Sequence, residues 1–116
     1  MKRILLLIAV LIFSVGAFAG TPGQNHGIDL TWTEVTSGTS FNVYKGSAPG
    51  GENYASPYAS VAIGILVYLD QTGTAGTKYY YTVTSVLNGI ESSPSGEVSA
   101  TFPIVPVPPV AAATPQ

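Results

Sequence analysis

An all-β sandwich is the fold class that this 116-residue sequence predicts. Apolar and polar residues alternate over several short segments, as they do in strands that bury one face. Clusters rich in glycine, proline, serine and threonine, which are typical of turns, separate these segments. After the N-terminal apolar run, no stretch shows the apolar spacing of an amphipathic helix. About six or seven short strands without helices indicate two packed sheets.

The N-terminal segment predicts a secretory signal peptide over residues 1–19. Two basic residues precede an apolar run from residue 4 to 18, which ends in a small-x-small cleavage pattern at Ala19. An uncleaved membrane anchor is the alternative, but the run is shorter than the roughly 18 residues of a spanning helix. We therefore expect cleavage after Ala19, a mature chain that starts at Gly20, and a secreted protein in an extracellular or periplasmic location.

The charge of the mature chain excludes several kinds of partner. Cleavage would leave two lysines against six carboxylates, a net charge of −4 with the single histidine neutral. Two lysines are too few to neutralise a phosphate backbone, so we expect no nucleic-acid partner. No basic patch favours an anionic membrane after cleavage. The chain contains no cysteine, so it has neither disulfides nor thiolate metal ligands.

Two alternating strands follow the leader, at residues 27–34 and 41–45. In each, every second residue is apolar, which predicts one face in the core and one outside. The residues expected in the core are Ile28, Leu30, Trp32, Phe41 and Val43. Asn42 and Tyr44 fall on the opposite face of the second strand.

The middle of the chain is harder to interpret. Residues 46–60 are rich in glycine and proline and predict a loop, in which a short edge strand could lie. Residues 61–70 form a nearly continuous apolar run, for which we expect one buried strand around Leu66 to Leu69.

Three consecutive tyrosines lie in the strand predicted at residues 78–87. Alternation places Tyr79 and Tyr81 with Val83 on the core face, and Tyr80 on the other face. The tyrosine run is therefore mainly structural.

The C-terminal part predicts a hairpin and an extended tail. An Asn-Gly pair at positions 88–89 favours the positive φ angles of a type I′ turn. The alternating segment 96–102 closes the strand pattern. Residues 103–116 contain five prolines, which predicts a semi-extended Pro-rich tail or linker.

Several segments, in order and spacing, resemble bacterial fibronectin type III domains: HGIDLTWT, FNVYKGSAPGG, YLD at residues 68–70, AGTKYYYTVTSV and ESSPSGEVSA. Trp32 matches the second-strand tryptophan of that family, and Tyr79 matches its tyrosine corner. The resemblance covers residues 25–102 and implies a seven-stranded antiparallel β-sandwich of the immunoglobulin-like superfold, with domain bounds of 20–102. The missing cysteine pair argues against an immunoglobulin domain proper.

The sequence departs from the family pattern at two positions. The lead-in at residues 21–27 replaces the usual first strand, so we expect that strand to be short or irregular. Thr74 stands where the family usually has an apolar residue before the tyrosine corner, which implies looser packing there.

No catalytic, cofactor or metal site is predicted. His26 and Asp29 are three residues apart and would face opposite ways on a strand, so they form no dyad. The remaining carboxylates fall mostly on turns and solvent faces, without the spacing of a metal loop. The glycine-rich loop at residues 46–53 lacks the lysine and following helix of a phosphate site. We expect a protein that is not an enzyme.

Four tyrosines are candidates for a binding surface. Tyr44 and Tyr80 face away from the core on neighbouring strands, and Tyr54 and Tyr58 lie in the loop nearby. Such rings can stack on sugars or anchor a protein partner. The alternative is cross-strand packing that only stiffens the sheet.

These inferences predict a secreted, non-catalytic fibronectin type III-like module for protein interaction or extracellular structure. Its partner would be an unidentified protein or its own subunits. The alternative function is a carbohydrate-binding module that takes polysaccharide on the exposed tyrosines. In either case Trp32, Tyr79 and Tyr81 are expected to have structural roles.

Overall fold

The computed structural model describes residues 11–18, 26–33, 36–104 and 109–115. These residues form eight strands: β1 (Leu11–Phe18), β2 (Gly27–Thr33), β3 (Ser40–Gly46), β4 (Ala59–Val61), β5 (Val67–Asp70), β6 (Lys78–Leu87), β7 (Ile90–Glu91) and β8 (Val98–Thr101). The described part of the chain includes no helix with the length and apolar character needed to cross a membrane.

The strands form two antiparallel sheets. One has the order β1-β2-β5, and the other has the order β4-β3-β6-β7, with β8 also paired to β6. Since β7 and β8 pair with opposite ends of β6, they act as one interrupted strand. The predicted seven-stranded antiparallel sandwich is therefore confirmed.

A continuous apolar core joins the two sheets. Its members are Ile28, Leu30, Trp32, Phe41, Val43, Val61, Tyr81, Val83 and Phe102. The rings of Trp32 and Phe41 meet across the two sheets with centroids 5.4 Å apart. All five residues predicted for the core from the first two alternating strands are buried. This described core spans residues 28–102 and so lies within the region 25–102 that is matched by the family resemblance.

The first strand comes from an unexpected segment. β1 lies within the predicted signal peptide and pairs with β2 from Leu11 opposite Thr33 to Phe18 opposite Gly27. The lead-in in which a short first strand was expected falls largely outside the described residues. Cleavage after Ala19 stays a prediction, and it would remove β1.

The apolar run at residues 61–70 is only partly buried. It contains β5, one residue further along than expected, while β4 provides the short edge strand at the end of the preceding loop. Ile63 and Ile65 are exposed, and within β5 Val67 is exposed while Tyr68 and Leu69 are half-buried, which corrects the expectation of a buried strand around Leu66 to Leu69. The reason is a turn around Gly64, whose φ of +83° reverses the chain before β5.

The predicted hairpin turn is confirmed. Asn88 and Gly89 have φ angles of 51° and 77°, the left-handed conformation that a type I′ turn needs at both central positions. This turn joins β6 to β7 and returns Glu91 to the outer face of the second sheet, opposite Val86.

Candidate binding face and its supporting clusters

Polar side chains gather around two carboxylates on opposite sides of the second sheet. The Asp70 cluster, between the sheets, consists of Asp70, Lys45, Tyr58, Thr72 and Tyr81. The Glu91 cluster, on the outer face, consists of Glu91, Asn42, Tyr44 and Thr84. Strand alternation creates this division, since neighbouring residues of one strand enter different clusters.

Asp70 ends β5 and is fully buried, with 0% of its surface exposed. Its Oδ2 lies 2.7 Å from the Lys45 ammonium and accepts a hydrogen bond of 2.5 Å from the Tyr81 hydroxyl. Its Oδ1 accepts hydrogen bonds from the Tyr58 hydroxyl at 2.8 Å and the Thr72 amide at 3.0 Å. Both oxygens are therefore well supplied with donors, as a buried carboxylate requires.

The Asp70 cluster holds a charge pair. Burial alone raises the pKa of Asp70, but the bonds from Lys45 and Tyr81 outweigh it and keep the pKa below its ordinary value. Burial, followed by the neighbouring Asp70 carboxylate, raises the pKa of Tyr81. At neutral pH the cluster thus combines an ionised carboxylate with a protonated phenol. These groups therefore stabilise one another.

Sequence reasoning missed the inward direction of Lys45, although the signal was available. Phe41, Val43 and Lys45 alternate on β3, which places the lysine on the core side. The ammonium lies 4.6 Å from the ring centre of Tyr58 and 4.2 Å from that of Tyr79. Such cation–π contacts help offset the loss of water around the buried ammonium.

The Glu91 cluster ties three strands together on the outer face. Glu91 Oε2 accepts hydrogen bonds from the hydroxyls of Tyr44 and Thr84, both at 2.5 Å. It also accepts one from the Asn42 amide at 3.1 Å, and Ser60 in turn donates to the Asn42 side-chain oxygen at 3.0 Å. Although burial acts to raise it, these hydrogen bonds keep the pKa of Glu91 below its ordinary value.

Tyr54 packs on the outer face of the second sheet, beside the Glu91 cluster. We call this outer face, with Tyr44, Tyr54 and Thr82, the candidate binding face. The ring of Tyr54 packs on Tyr44 with centroids 4.9 Å apart, and the Tyr54 hydroxyl lies 2.8 Å from Thr82 Oγ1. Tyr44 faces outward, but only 3% of it is exposed, so it is not the open ring that the sequence suggested. Burial and the neighbouring Glu91 carboxylate raise the pKa of Tyr44. Tyr54, which is 47% exposed, offers the accessible ring instead.

The other two candidate tyrosines occupy different surroundings. Tyr80 lies half-buried on β6, with the Lys78 ammonium 5.6 Å from its ring centre. Tyr58 belongs to the Asp70 cluster and packs edge-on against Tyr68, so it does not share the face with Tyr54. The structure thus brings Tyr44 and Tyr54 together and separates Tyr58 from them.

The expected structural residues have the expected surroundings. Trp32 and Tyr81 are buried in the core. Tyr79 accepts a hydrogen bond of 2.8 Å from the Thr74 amide, as a tyrosine corner does, and packs edge-on against Phe102. The bond from Thr74 lowers the pKa of Tyr79.

Glu52 and Glu97 are two further carboxyl groups, and they lie at the loop between β3 and β4. Glu97 accepts a hydrogen bond of 2.8 Å from the Gly50 amide. Burial, followed by a hydrogen bond to Glu97, raises the pKa of Glu52, and the same bond lowers the pKa of Glu97. The two carboxyls therefore influence each other's pKa. The bond from Gly50 to Glu97 ties the loop to the segment before β8.

His26 and Asp29 form no catalytic arrangement. The His26 ring packs edge-on against Phe102, with centroids 6.0 Å apart, while Asp29 is exposed on β2. Within the described ranges, no group of three histidine or acidic side chains could hold a metal ion.

Sequence comparison relates the chain to part of a larger protein. No family model matches it. Over 86 residues it is 38% identical to an amylopullulanase from Thermoanaerobacter thermohydrosulfuricus. The match covers 72% of this chain but only 5% of that relative.

Structure comparison identifies the fold. A β-1,2-glucanase from Parabacteroides distasonis superposes with a TM-score of 0.69 at 24% identity, covering 85% of this chain and 13% of that one. The sixth fibronectin type III domain of a human protein superposes at 0.56 with 15% identity, covering 84% and 88% of the two chains. Both likenesses concern the fold, and they define a two-sheet antiparallel β-sandwich module.

A further structure defines the family. An Fn3-like protein from Clostridium thermocellum is 31% identical, with a TM-score of 0.54 over 81% of this chain and 93% of that one. The chain therefore belongs to the fibronectin type III family, as its sequence motifs imply.

Proposed function

We propose that the protein is a non-catalytic fibronectin type III module of an exported carbohydrate-active system, in which it contacts proteins or holds other domains in place. The observation that carries this proposal is that the carboxylates form hydrogen bonds and ion pairs within the module. Among the described residues, the carboxylates with perturbed pKa values all bond to groups of the module itself: Asp70, Glu91, Glu52 and Glu97. A general acid or base must instead reach the substrate.

The comparisons support an accessory role. The matched segment is a small part of the amylopullulanase and of the β-1,2-glucanase, at 5% and 13% of their lengths. Such a small matched segment is expected of an accessory module, because the rest of each enzyme is long enough to contain its catalytic domain. An exported location agrees with the predicted signal peptide and with polysaccharide substrates outside the cell.

Carbohydrate binding is the second candidate, and one observation favours it. Tyr54 presents an accessible ring, held in place by Tyr44 beneath it and by Thr82 at its hydroxyl. A fixed aromatic ring can stack on a sugar face with little loss of side-chain entropy. The four-tyrosine surface suggested by the sequence is thereby reduced to a site centred on Tyr54.

The non-catalytic role is tested with purified protein and three polysaccharides: starch, pullulan and β-1,2-glucan. We expect no release of reducing ends from any of them. Release that survives repurification and disappears on replacing one acidic residue would contradict the proposal.

Affinity electrophoresis in gels with the same polysaccharides separates the two candidates. A protein-contact module migrates without retardation, and Tyr54→Ala changes nothing. Retardation that Tyr54→Ala abolishes would favour carbohydrate binding. Tyr54→Phe is the matched control, because it keeps the ring and loses only the hydroxyl contact to Thr82.

A further inference from the structure

We propose that removal of the leader converts the outer edge of β2 into a dimerisation surface, whose occupant is the same edge of a second copy of this chain. In the full-length chain β1 covers this edge. The inference depends on cleavage after Ala19 and is independent of any sugar or protein ligand of the outer face.

Cleavage would open a long strand edge. β1 pairs with the whole of β2, from Phe18 opposite Gly27 to Leu11 opposite Thr33, and it lies entirely on the leader side of Ala19. β2 has seven residues, whereas the edge strands β4, β5 and β8 have three, four and four. A long open edge is a template for pairing with another strand.

The backbone groups that would lose their partners can be assigned. The Trp32 amide donates to the Leu66 carbonyl at 3.1 Å, on the β5 side of the strand. Successive residues of a strand direct their amides and carbonyls to opposite edges. The residues that face β1 are therefore Gly27, Asp29, Thr31 and Thr33.

The open edge is complementary to itself. Consider β2 of a second copy that pairs antiparallel with this β2, so that the two Leu30 residues lie opposite each other. Gly27 then lies opposite Thr33, and Asp29 lies opposite Thr31. Each of these pairs joins residues whose backbone amides and carbonyls face the partner strand. The same register sets core-facing Ile28 opposite core-facing Trp32. It also places each Asp29 opposite a threonine, so the two acidic residues do not oppose each other directly.

A two-fold dimer of this kind satisfies both edges at once. The contact is isologous, so the assembly closes at two copies and leaves no β2 edge for further pairing. One continuous antiparallel sheet would then run from β5 of one copy to β5 of the other. The leader would keep the precursor monomeric, because β1 fills the same position.

The first test measures the mass of residues 20–116 by light scattering and sedimentation across protein concentration. This chain retains the whole described core, which lies within residues 28–102. We expect a folded dimer that dissociates on dilution. A folded monomer at all concentrations would overturn the proposal. So would an unfolded chain, because β1 would then be an obligatory strand of the domain.

A proline variant tests which edge is used. Thr31→Pro removes one amide on the open side and leaves the Trp32 bond to Leu66 in place. We expect a folded protein, confirmed by circular dichroism, that is monomeric at concentrations where the parent chain is dimeric. A folded variant that still dimerises would show that another surface is responsible.

Charge variants test the register. Thr31→Asp places like charges opposite each other at two symmetric positions and should weaken the dimer about tenfold, whereas Thr31→Lys should strengthen it to a similar degree. Ser93→Asp and Ser93→Lys are matched controls at an exposed loop position and should change little. Equal effects at both positions would indicate a net-charge effect and contradict the proposed register.

Discussion

Asp70 and Glu91 are two carboxylates with similar sets of donors and different surroundings. Each accepts hydrogen bonds from a tyrosine hydroxyl and from further side chains. Asp70 lies between the sheets and pairs with an ammonium, whereas Glu91 lies on the outer face and has only neutral donors. We therefore expect the buried Asp70 cluster to contribute more to the stability of the fold than the Glu91 cluster at the accessible surface.

The physical reason is the cost of taking a charge out of water. A buried carboxylate depends on its partners because no solvent can replace them, so the loss of one partner leaves an uncompensated charge. At Glu91, water can take the place of a lost donor. Substitutions in the two clusters should therefore differ in their effect on stability.

Lys45→Met should have the largest effect. It removes the cation beside Asp70, keeps most of the side-chain volume, and should lower the free energy of unfolding by about 3–5 kcal/mol in urea titration. Lys78→Met is the matched control, because Lys78 is exposed on β6 and should change stability by less than about 0.5 kcal/mol. Equal losses in the two variants would contradict a supporting role for the buried pair.

Tyr81→Phe should have an intermediate effect. It removes the hydroxyl that donates to Asp70 Oδ2 and should lower the free energy of unfolding by about 1–3 kcal/mol. Tyr80→Phe, one residue away on the outer face, should leave the thermal midpoint nearly unchanged. A larger shift for Tyr80→Phe would reverse the inside and outside assignment of β6.

Glu91→Gln should have the smallest effect. Its amide oxygen can still accept hydrogen bonds from Tyr44 and Thr84, so we expect a loss of about 0.5–1 kcal/mol in urea unfolding. The pKa of Tyr44, followed by ultraviolet titration of the phenol, should fall towards its ordinary value because one cause of its rise is removed. An unchanged titration would exclude electrostatic contact between the two groups.

Much of the fold could be predicted because it depends on local pattern. Alternation identified the core residues of β2 and β3 and the inner tyrosines of β6, and the Asn-Gly pair gave the hairpin. The partial exposure of the run at residues 61–70 could not be predicted in this way, because it depends on where the turn at Gly64 divides the segment. The strand formed by Leu11–Phe18 was also missed, because apolar leader and strand residues have similar composition.

The candidate site was harder to predict because it depends on contacts distant in sequence. Alternation gave the outward direction of Tyr44, but not the loop residue Tyr54 that covers it. Tyr58 was grouped with Tyr54 through sequence proximity, yet it bonds to Asp70, twelve positions along the chain. Loop conformation decides both placements, and the loop composition of glycine and proline does not specify it.

The pH dependence of stability for the parent chain, Asp70→Asn and Glu91→Gln tests whether the buried charge of Asp70 supports the fold. Because the folded pKa of Asp70 is lowered, its charge stabilises the fold above the ordinary value of about 3.9, and this contribution is lost as pH falls through the lowered pKa. The free energy of unfolding of the parent should therefore fall steeply below about pH 4. Asp70→Asn should be less stable at neutral pH and much flatter in acid. Glu91→Gln should be flattened less, because the lowered pKa of Glu91 reflects hydrogen bonds that water can partly replace. Parallel acid curves for the parent and Asp70→Asn would show that the buried charge does not support the sandwich.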